Sequence, residues 1–246
     1  MKVVILGATK GIGRALARAV IAQSSEVFLL GRDLDDLERS ARDLEQRAFG
    51  KLTVKWARCD LEDPSGFAQA LDAADAALSH FDTVIVTAAL FGTQEQFEAD
   101  VDFTQRLLTV NFANTIVFCE HVRKRLLSRG GGTLCVFSSV AGERGRKPVV
   151  LYGASKAGLS AYLEGLDHKF RAQGLHTLCI KPGFVKTSMT DGLTPPPFAG
   201  EPEQVARDTL RAIRAGKPVL YTPRIWALVM LVIRLLPRFV MRRIGF

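Results

Sequence analysis

The chain has 246 residues, 48% of them hydrophobic, with 33 Lys and Arg against 25 Asp and Glu for a formal net charge of +8. That length suits one α/β domain with a large core, and the scattered Cys59, Cys119, Cys135 and Cys179 argue against a disulfide framework and for buried, reduced thiols. His80, His121, His168 and His176 are equally scattered and suggest no metal site, while basic residues mixed with long aliphatics, without base-stacking aromatics, do not read as a nucleic-acid surface.

In chain order, the first expected strand covers residues 2–6, a β-branched run that begins too early for a signal peptide. Gly7, Gly11 and Gly13 follow, and a helix-like stretch runs from Arg14 to Ala22. Strand, glycine-rich turn and helix together cradle the pyrophosphate of a dinucleotide. Gly7 permits the tight turn, Gly11 lets the backbone approach phosphate, and Gly13 lets helix and strand pack closely. Thr9, Lys10 and Ile12 complete that cofactor loop.

A second strand is expected over 26–30, followed by Gly31, Arg32 and Asp33. Gly31 stands where an acidic residue would bind ribose hydroxyls, so a 2′-phosphate meets no repulsion there. Arg32 can pair with that phosphate and Lys10 can add a second contact, which favours NADP(H) over NAD(H). The competing reading is that Arg32 is a surface arginine and Asp33 only caps the next helix.

Further strands are expected over 52–57, 83–87, 133–138, 176–180 and 218–221, with a long helix near 100–128 and another over 152–172. Such alternation predicts a single-domain, Rossmann-like, doubly wound parallel sheet, with the site at the carboxyl ends of its strands. Tyr152 and Lys156 are four residues apart, so on a helix they share a face. A lysine there lowers the cost of a tyrosinate, which suits proton exchange with a substrate oxygen. Residues 190–202, with prolines at 195–197, are expected to form a mobile loop over the site.

Taken together, these motifs resemble the short-chain dehydrogenase/reductase family, from Val3 to about Tyr221. The resemblance implies that Asp60, with Leu61, lies near the adenine ring, and that Asn111 organises a water in a proton relay. It implies that Ser139, thirteen residues before Tyr152, hydrogen-bonds the substrate oxygen. Tyr152 would donate the proton, and Lys156 would hold the nicotinamide ribose. Ala88, Pro182, Gly183, Val185 and Thr187 would join the cofactor contacts. Two departures stand out: Val86-Thr87-Ala88-Ala89 replaces the family's Asn-Asn-Ala-Gly, and Leu6 replaces the usual threonine before the first glycine.

The last segment, residues 223–246, stands apart from the catalytic domain expected over 1–222. From Arg224 onward there are five arginines and no acidic residue, and the apolar run 225–233 is far short of the ~20 residues that span a bilayer. Three placements are open: an anionic membrane interface, packing on the catalytic domain, or a dimer interface.

Within the family the chain looks like the subgroup containing the decaprenylphospho-keto-pentose 2-reductase. This implies an NADPH-dependent ketoreductase or alcohol dehydrogenase acting on a lipid-linked or amphipathic ketone, such as a polyprenyl-phospho-2-keto sugar. Arg144, Arg146 and Lys147 would then meet a phosphodiester, or else form a solvated loop. A cytoplasmic homodimer or homotetramer, peripheral on the inner face of the membrane, is the matching expectation. The alternatives are a soluble reductase of 3-ketoacyl, steroid-like or sphingoid-base ketones, and a non-catalytic NADP-binding sensor or scaffold.

Overall fold

The computed structural model describes residues 1–23 and 25–244. Seven strands alternate with helices: β1 (Lys2–Leu6), α1 (Gly11–Ile21), β2 (Glu26–Gly31), α2 (Leu34–Arg47), β3 (Lys55–Arg58), α3 (Phe67–Leu78) and β4 (Thr83–Val86). Then come α4 (Gln94–Ala99), α5 (Val101–Leu108), α6 (Asn114–Leu127), β5 (Gly132–Phe137), α7 (Val150–Phe170) and β6 (Leu175–Pro182). The chain closes with α8 (Pro202–Arg214), β7 (Val219–Thr222), α9 (Ile225–Leu235) and α10 (Arg238–Arg243).

All seven strands pair in parallel, in the order β3-β2-β1-β4-β5-β6-β7. Helices cover both faces, so the central strands read as continuous apolar runs rather than as alternating ones. Ile5 and Leu29 face one layer with Leu16 and Leu210, while Val4 and Phe28 face the other with Phe67, Phe118 and Leu159. Connections from β1 run one way along the sheet and those from β4 the other. Their carboxyl ends therefore diverge into a crevice, where a doubly wound sheet places its ligand.

Local chemistry fixes the helix starts. Asp33 caps α2 by accepting the Asp36 N–H at 2.9 Å, and Thr93 and Gln96 form a reciprocal capping box on α4. Pro202 occupies the first turn of α8, where its missing N–H is harmless, so it opens a helix rather than closing the preceding loop.

Two expectations are corrected. The third strand lies at Lys55–Arg58 rather than 52–57, because the sheet ends there and pairing with β2 alone sets its register. The long helix near 100–128 is interrupted at Thr109–Ala113 by one π turn, inside which lies Asn111. The C-terminal segment is two short helices, and α9 carries two apolar faces. Met230 and Ile233 are buried against Val140, with Trp226 and Val229 beside them. Leu228, Leu231, Val232 and Leu235 stay exposed on the other side. Among the described residues no helix is long and apolar enough to cross a membrane. Gly245 and Phe246, the end of the expected tail, lie outside the described residues.

Candidate active site

The glycine turn sits where β1 hands over to α1. Gly7 has φ +92°, and a Cβ there would come within 2.6 Å of the Ala88 nitrogen, so only glycine fits. A Cβ on Gly13 would fall 2.0 Å from the Gly7 carbonyl, so helix and turn touch as the spacing required. A Cβ on Gly11 would lie 3.2 Å from the Thr187 methyl, so the turn sits beside the segment after β6. Lys10 is the N-cap of α1 but supplies no side-chain cap. The first-turn N–H groups, from Gly11, Ile12 and Gly13, are thus left for an anion, as a dinucleotide pyrophosphate requires. Thr9 accepts the Arg14 Nε at its carbonyl at 2.8 Å, which ties the turn to the helix it opens.

The departure at Thr87 has a structural use. Its hydroxyl donates toward the Leu6 and Gly7 carbonyls at 3.1 and 3.0 Å, and the Ala88 N–H bonds the Leu6 carbonyl. A threonine thereby ties β4 to the end of β1.

At the adenosine end, Gly31 has Leu37 within 3.3 Å of where a Cβ would be, so the position favours a small residue as well as a neutral one. Arg32 is exposed, 4.0 Å from Glu62. Lys10, expected as a second cation, is held by Asp36 at 2.9 Å, because α2 begins with a run of aspartates. Arg58 lies nearer Arg32: its Nε donates to the Arg32 carbonyl at 3.3 Å while Nη2 pairs with Asp60 at 3.2 Å. Sequence reading passed over Arg58; the signal was its register opposite Gly31 across β2 and β3. Asp60 accepts the Glu62 N–H, and the buried Leu61 offers its carbonyl to Asn114.

Tyr152, Ser139 and Lys156 come together. Tyr152 and Lys156 project from α7, and the Lys156 Nζ lies 5.6 Å from the phenol ring centroid. Ser139, at the exit of β5, is near enough to the phenol to act on its pKa and caps the next turn through the Ala141 N–H. Lys156 is 2% exposed, and its Nζ donates to the Phe137 carbonyl at 2.9 Å. Burial pulls its pKa down to about 8. Burial also raises Tyr152 to about 12, which Ser139 only partly offsets. The expected lowering of the tyrosine by its lysine is therefore outweighed by desolvation, and the phenol is a proton-bearing acid at neutral pH.

Asn111 is one link further away. Its amide accepts the Leu90 N–H at 2.7 Å and donates to the Leu90 carbonyl at 2.8 Å. The next residue, Phe91, packs edge-on against Tyr152 with centroids 5.5 Å apart.

After β6 the chain passes Pro182 and Gly183, turns inward at Val185, which bridges Gly200, and reaches Thr187. Here the C-terminal helix enters the site. The Trp226 indole covers Gly183 and donates to the Phe198 carbonyl at 3.4 Å. Glu143, just past Ser139 and 6% exposed, pairs with Lys181 and with Arg234 of α9. Trp226, Glu143 and Lys181 are site-forming residues that sequence reading missed. Of the basic cluster, Arg144 is bonded to the Leu236 carbonyl, Lys147 is exposed and Arg146 is half-buried.

All four cysteines are free and buried, and desolvation raises Cys59 to about 12, so these thiols are not nucleophiles. Among the described residues no three His, Cys, Asp or Glu side chains gather into a metal-holding group.

The short chain dehydrogenase family model matches residues 1–197. An uncharacterised oxidoreductase of Mycobacterium tuberculosis is 35% identical over 243 residues, covering 98% of this chain and 96% of its own. An uncharacterised oxidoreductase of Streptomyces coelicolor is 32% identical, covering 98% and 94%. Among solved structures, a short-chain type dehydrogenase/reductase from Mycobacterium ulcerans superposes with a TM-score of 0.81 at 21% identity, covering 89% of this chain and 86% of that one. A variant of actinorhodin polyketide ketoreductase solved with NADPH gives a TM-score of 0.80 at 20% identity, covering 90% and 95%. At such identities these two likenesses speak to the fold alone.

Proposed function

The chain belongs to the short-chain dehydrogenase/reductase family and is an oxidoreductase, and from that premise we propose that it is an NADPH-dependent ketoreductase of a lipid-linked or amphipathic ketone. The observation that carries the chemistry is the phenol of Tyr152, its pKa raised by desolvation, with Ser139 acting on it and the Lys156 ammonium 5.6 Å from its ring centroid. A protonated phenol with a high pKa is suited to giving a proton to a carbonyl oxygen that is gaining charge. Ser139 orients that oxygen, and Lys156 stabilises the charge that develops on the phenol while holding the nicotinamide ribose. Asn111 fixes the backbone at Leu90 and, with it, the Phe91 ring that sets the phenol's angle; a relay water is its further role.

The reduced nicotinamide supplies the hydride when bound. The turn at Gly7, Thr9, Gly11, Ile12 and Gly13 would hold its pyrophosphate, with Asp60, Leu61 and Ala88 along the adenosine half and Pro182, Gly183, Val185 and Thr187 along the nicotinamide half. Gly31, Arg32 and Arg58 support NADP(H) as the preferred form, because Gly31 places no carboxylate at the end of β2 and two exposed arginines flank it.

The amphipathic substrate is supported by α9 and α10. Leu228, Leu231, Val232, Leu235 and Phe239 are each more than half exposed, and Arg224, Arg234, Arg238, Arg242 and Arg243 surround them. Apolar surface ringed by arginine suits the headgroup region of an anionic membrane, where each arginine contributes roughly 1 kcal/mol. A polyprenyl-phospho-2-keto sugar is the substrate that the subgroup resemblance favours. The enzyme works as a homodimer or homotetramer, peripheral on the cytoplasmic face of the membrane.

The test is NADPH consumption over a panel of amphipathic ketones, with Tyr152→Phe as the control. Removing the acid should lower turnover on the order of 10³-fold or more. Near-wild-type turnover by Tyr152→Phe would sink the assignment.

A further inference from the structure

Arg146 is a half-buried cation that the nearby carboxylates leave unmatched. It lies on the loop between Ser139 and Tyr152, and that loop is folded hard onto the first turns of α7. A Cβ on Gly153 would sit 2.8 Å from the Ala141 carbonyl, and one on Gly142 would sit 2.7 Å from the Ala157 nitrogen. The Val149 N–H donates to the Arg146 carbonyl at 3.2 Å, directly before the helix that carries Tyr152.

Its Nε is buried and has no hydrogen-bond partner among the described residues. Desolvation lowers the pKa of the guanidinium, and no carboxylate acts against it. The loop's one acid, Glu143, is already engaged by Lys181 and Arg234. The neighbouring Arg144 spends its Nη2 on the Leu236 carbonyl, whereas the Arg146 Nε is left for a ligand. An arginine N–H removed from water without an acceptor is costly, and an anion arriving there relieves that cost.

Resting on the ketoreductase reading above, we propose that Arg146 is the anion-recognition residue of the substrate site and takes a phosphate-ester oxyanion carried by the substrate. The guanidinium fork matches two non-bridging oxygens, whereas a lysine would offer only a point charge. The exposed Lys147 beside it adds positive charge at the mouth. An amphipathic ketone would then be held at three places: the carbonyl at Tyr152 and Ser139, the phosphate at Arg146, and the apolar tail along α9.

Binding of octyl phosphate and of neutral octyl glucoside to the full chain, measured by calorimetry, tests this without requiring turnover. Wild type should bind octyl phosphate the more tightly, and Arg146→Gln should lose about tenfold of that affinity, with Arg146→Lys falling between. Arg146→Met keeps the test usable if the glutamine variant folds poorly, since an apolar replacement removes the charge itself. Unchanged octyl phosphate affinity in folded Arg146→Gln or Arg146→Met overturns the proposal. If affinity falls as expected but no ketone is reduced, the anion site stands and the ketoreductase reading fails. Sedimentation with phosphatidic acid vesicles separates the sources. Equal sedimentation of wild type and Arg146→Gln assigns the phosphate to the substrate, while a parallel loss assigns it to a lipid headgroup and overturns the substrate assignment.

Discussion

The indole of Trp226 rests directly on Gly183: a Cβ built on that glycine would fall 2.0 Å from Nε1 and 2.2 Å from Cε2. Space, not backbone conformation, requires the glycine here. The contact closes a circuit, because the same indole donates to Phe198 in the segment between β6 and α8. Strand exit, loop and C-terminal helix thus meet at one ring.

Gly183→Ala should therefore push the indole out and cost about 1–3 kcal/mol, the usual range for overpacking. Trp226→Ala removes the obstacle, so the double variant should recover part of that loss. Denaturant midpoints of the two single variants and the double variant give the coupling, expected to be about 1 kcal/mol. Strictly additive effects would mean that the two residues do not touch in solution.

The two faces of α9 separate two functions that truncation would confuse. Ending the chain at Tyr221 removes Met230 and Ile233 from their contact with Val140, which follows Ser139 directly. That chain should lose stability and activity whatever the membrane does. Leu231→Asn, Leu235→Asn and Phe239→Asn instead touch only exposed positions. Their combination should abolish sedimentation with anionic vesicles and leave reduction of a short soluble ketone unchanged. Undiminished sedimentation would exclude this face as the docking surface.

The pH dependence follows from Lys156. Its pKa is about 8 in the fold against a model-peptide value of 10.5, and Tyr152 stays protonated to about 12. The ammonium is thus lost first, and kcat/KM for NADPH, which reports the free enzyme, should fall as pH rises through about 8. Stability has the opposite sign. Between 8 and 10.5 the unfolded chain binds more protons at this lysine than the folded one, so this group's contribution rises with pH. Activity lost above pH 8 without a lower melting temperature is the expected signature. A profile flat to pH 10 would remove Lys156 from the mechanism.

Much of the site was legible because its parts are local. The strand, glycine turn and helix from Lys2 to Ile21 follow from short-range spacing, and Tyr152 with Lys156 from one helical turn. What escaped was long-range. Trp226 reads as a membrane-facing aromatic until Gly183, far back in the chain, is placed under it. The π turn around Asn111 escaped for a similar reason: apolar periodicity continues across it, and its geometry is reinforced by Thr115 donating to the Val110 carbonyl. Edge strand β3 was misplaced because Val54, buried yet outside the strand, imitates a ladder residue.

Cofactor choice rests on Arg32 and Arg58. Each is mostly exposed, so a single substitution should be tolerated by the fold. Arg32→Ala and Arg58→Ala should each raise KM for NADPH by about tenfold, as expected for a lost charge-assisted contact to phosphate, with little effect on NADH. Steady-state KM for both cofactors decides it. Equal losses with NADH and NADPH would assign these arginines to structure instead.

Glu143 between Lys181 and Arg234 offers the sharpest test of how the tail is held. The carboxylate is 6% exposed and Lys181 14%, while Arg234 is 54% exposed. The Lys181 contact is therefore the energetic one, and the Arg234 contact is screened by water. Burial works to lower the Lys181 pKa, but its hydrogen bond to Glu143, with the negative charge around it, outweighs that and leaves the ammonium above its ordinary range. Glu143→Gln strands that ammonium, and breaking such a pair should destabilise by about 3 kcal/mol. Lys181→Met in the same background removes the stranded charge and should restore most of the loss. Arg234→Gln alone should cost under about 1 kcal/mol. The discriminating measurement is chemical denaturation of wild type and these three variants at pH 7. If Arg234→Gln costs as much as Glu143→Gln, then α9, not the buried pair, holds this corner together, and truncating the tail should unfold the Ser139 loop with it.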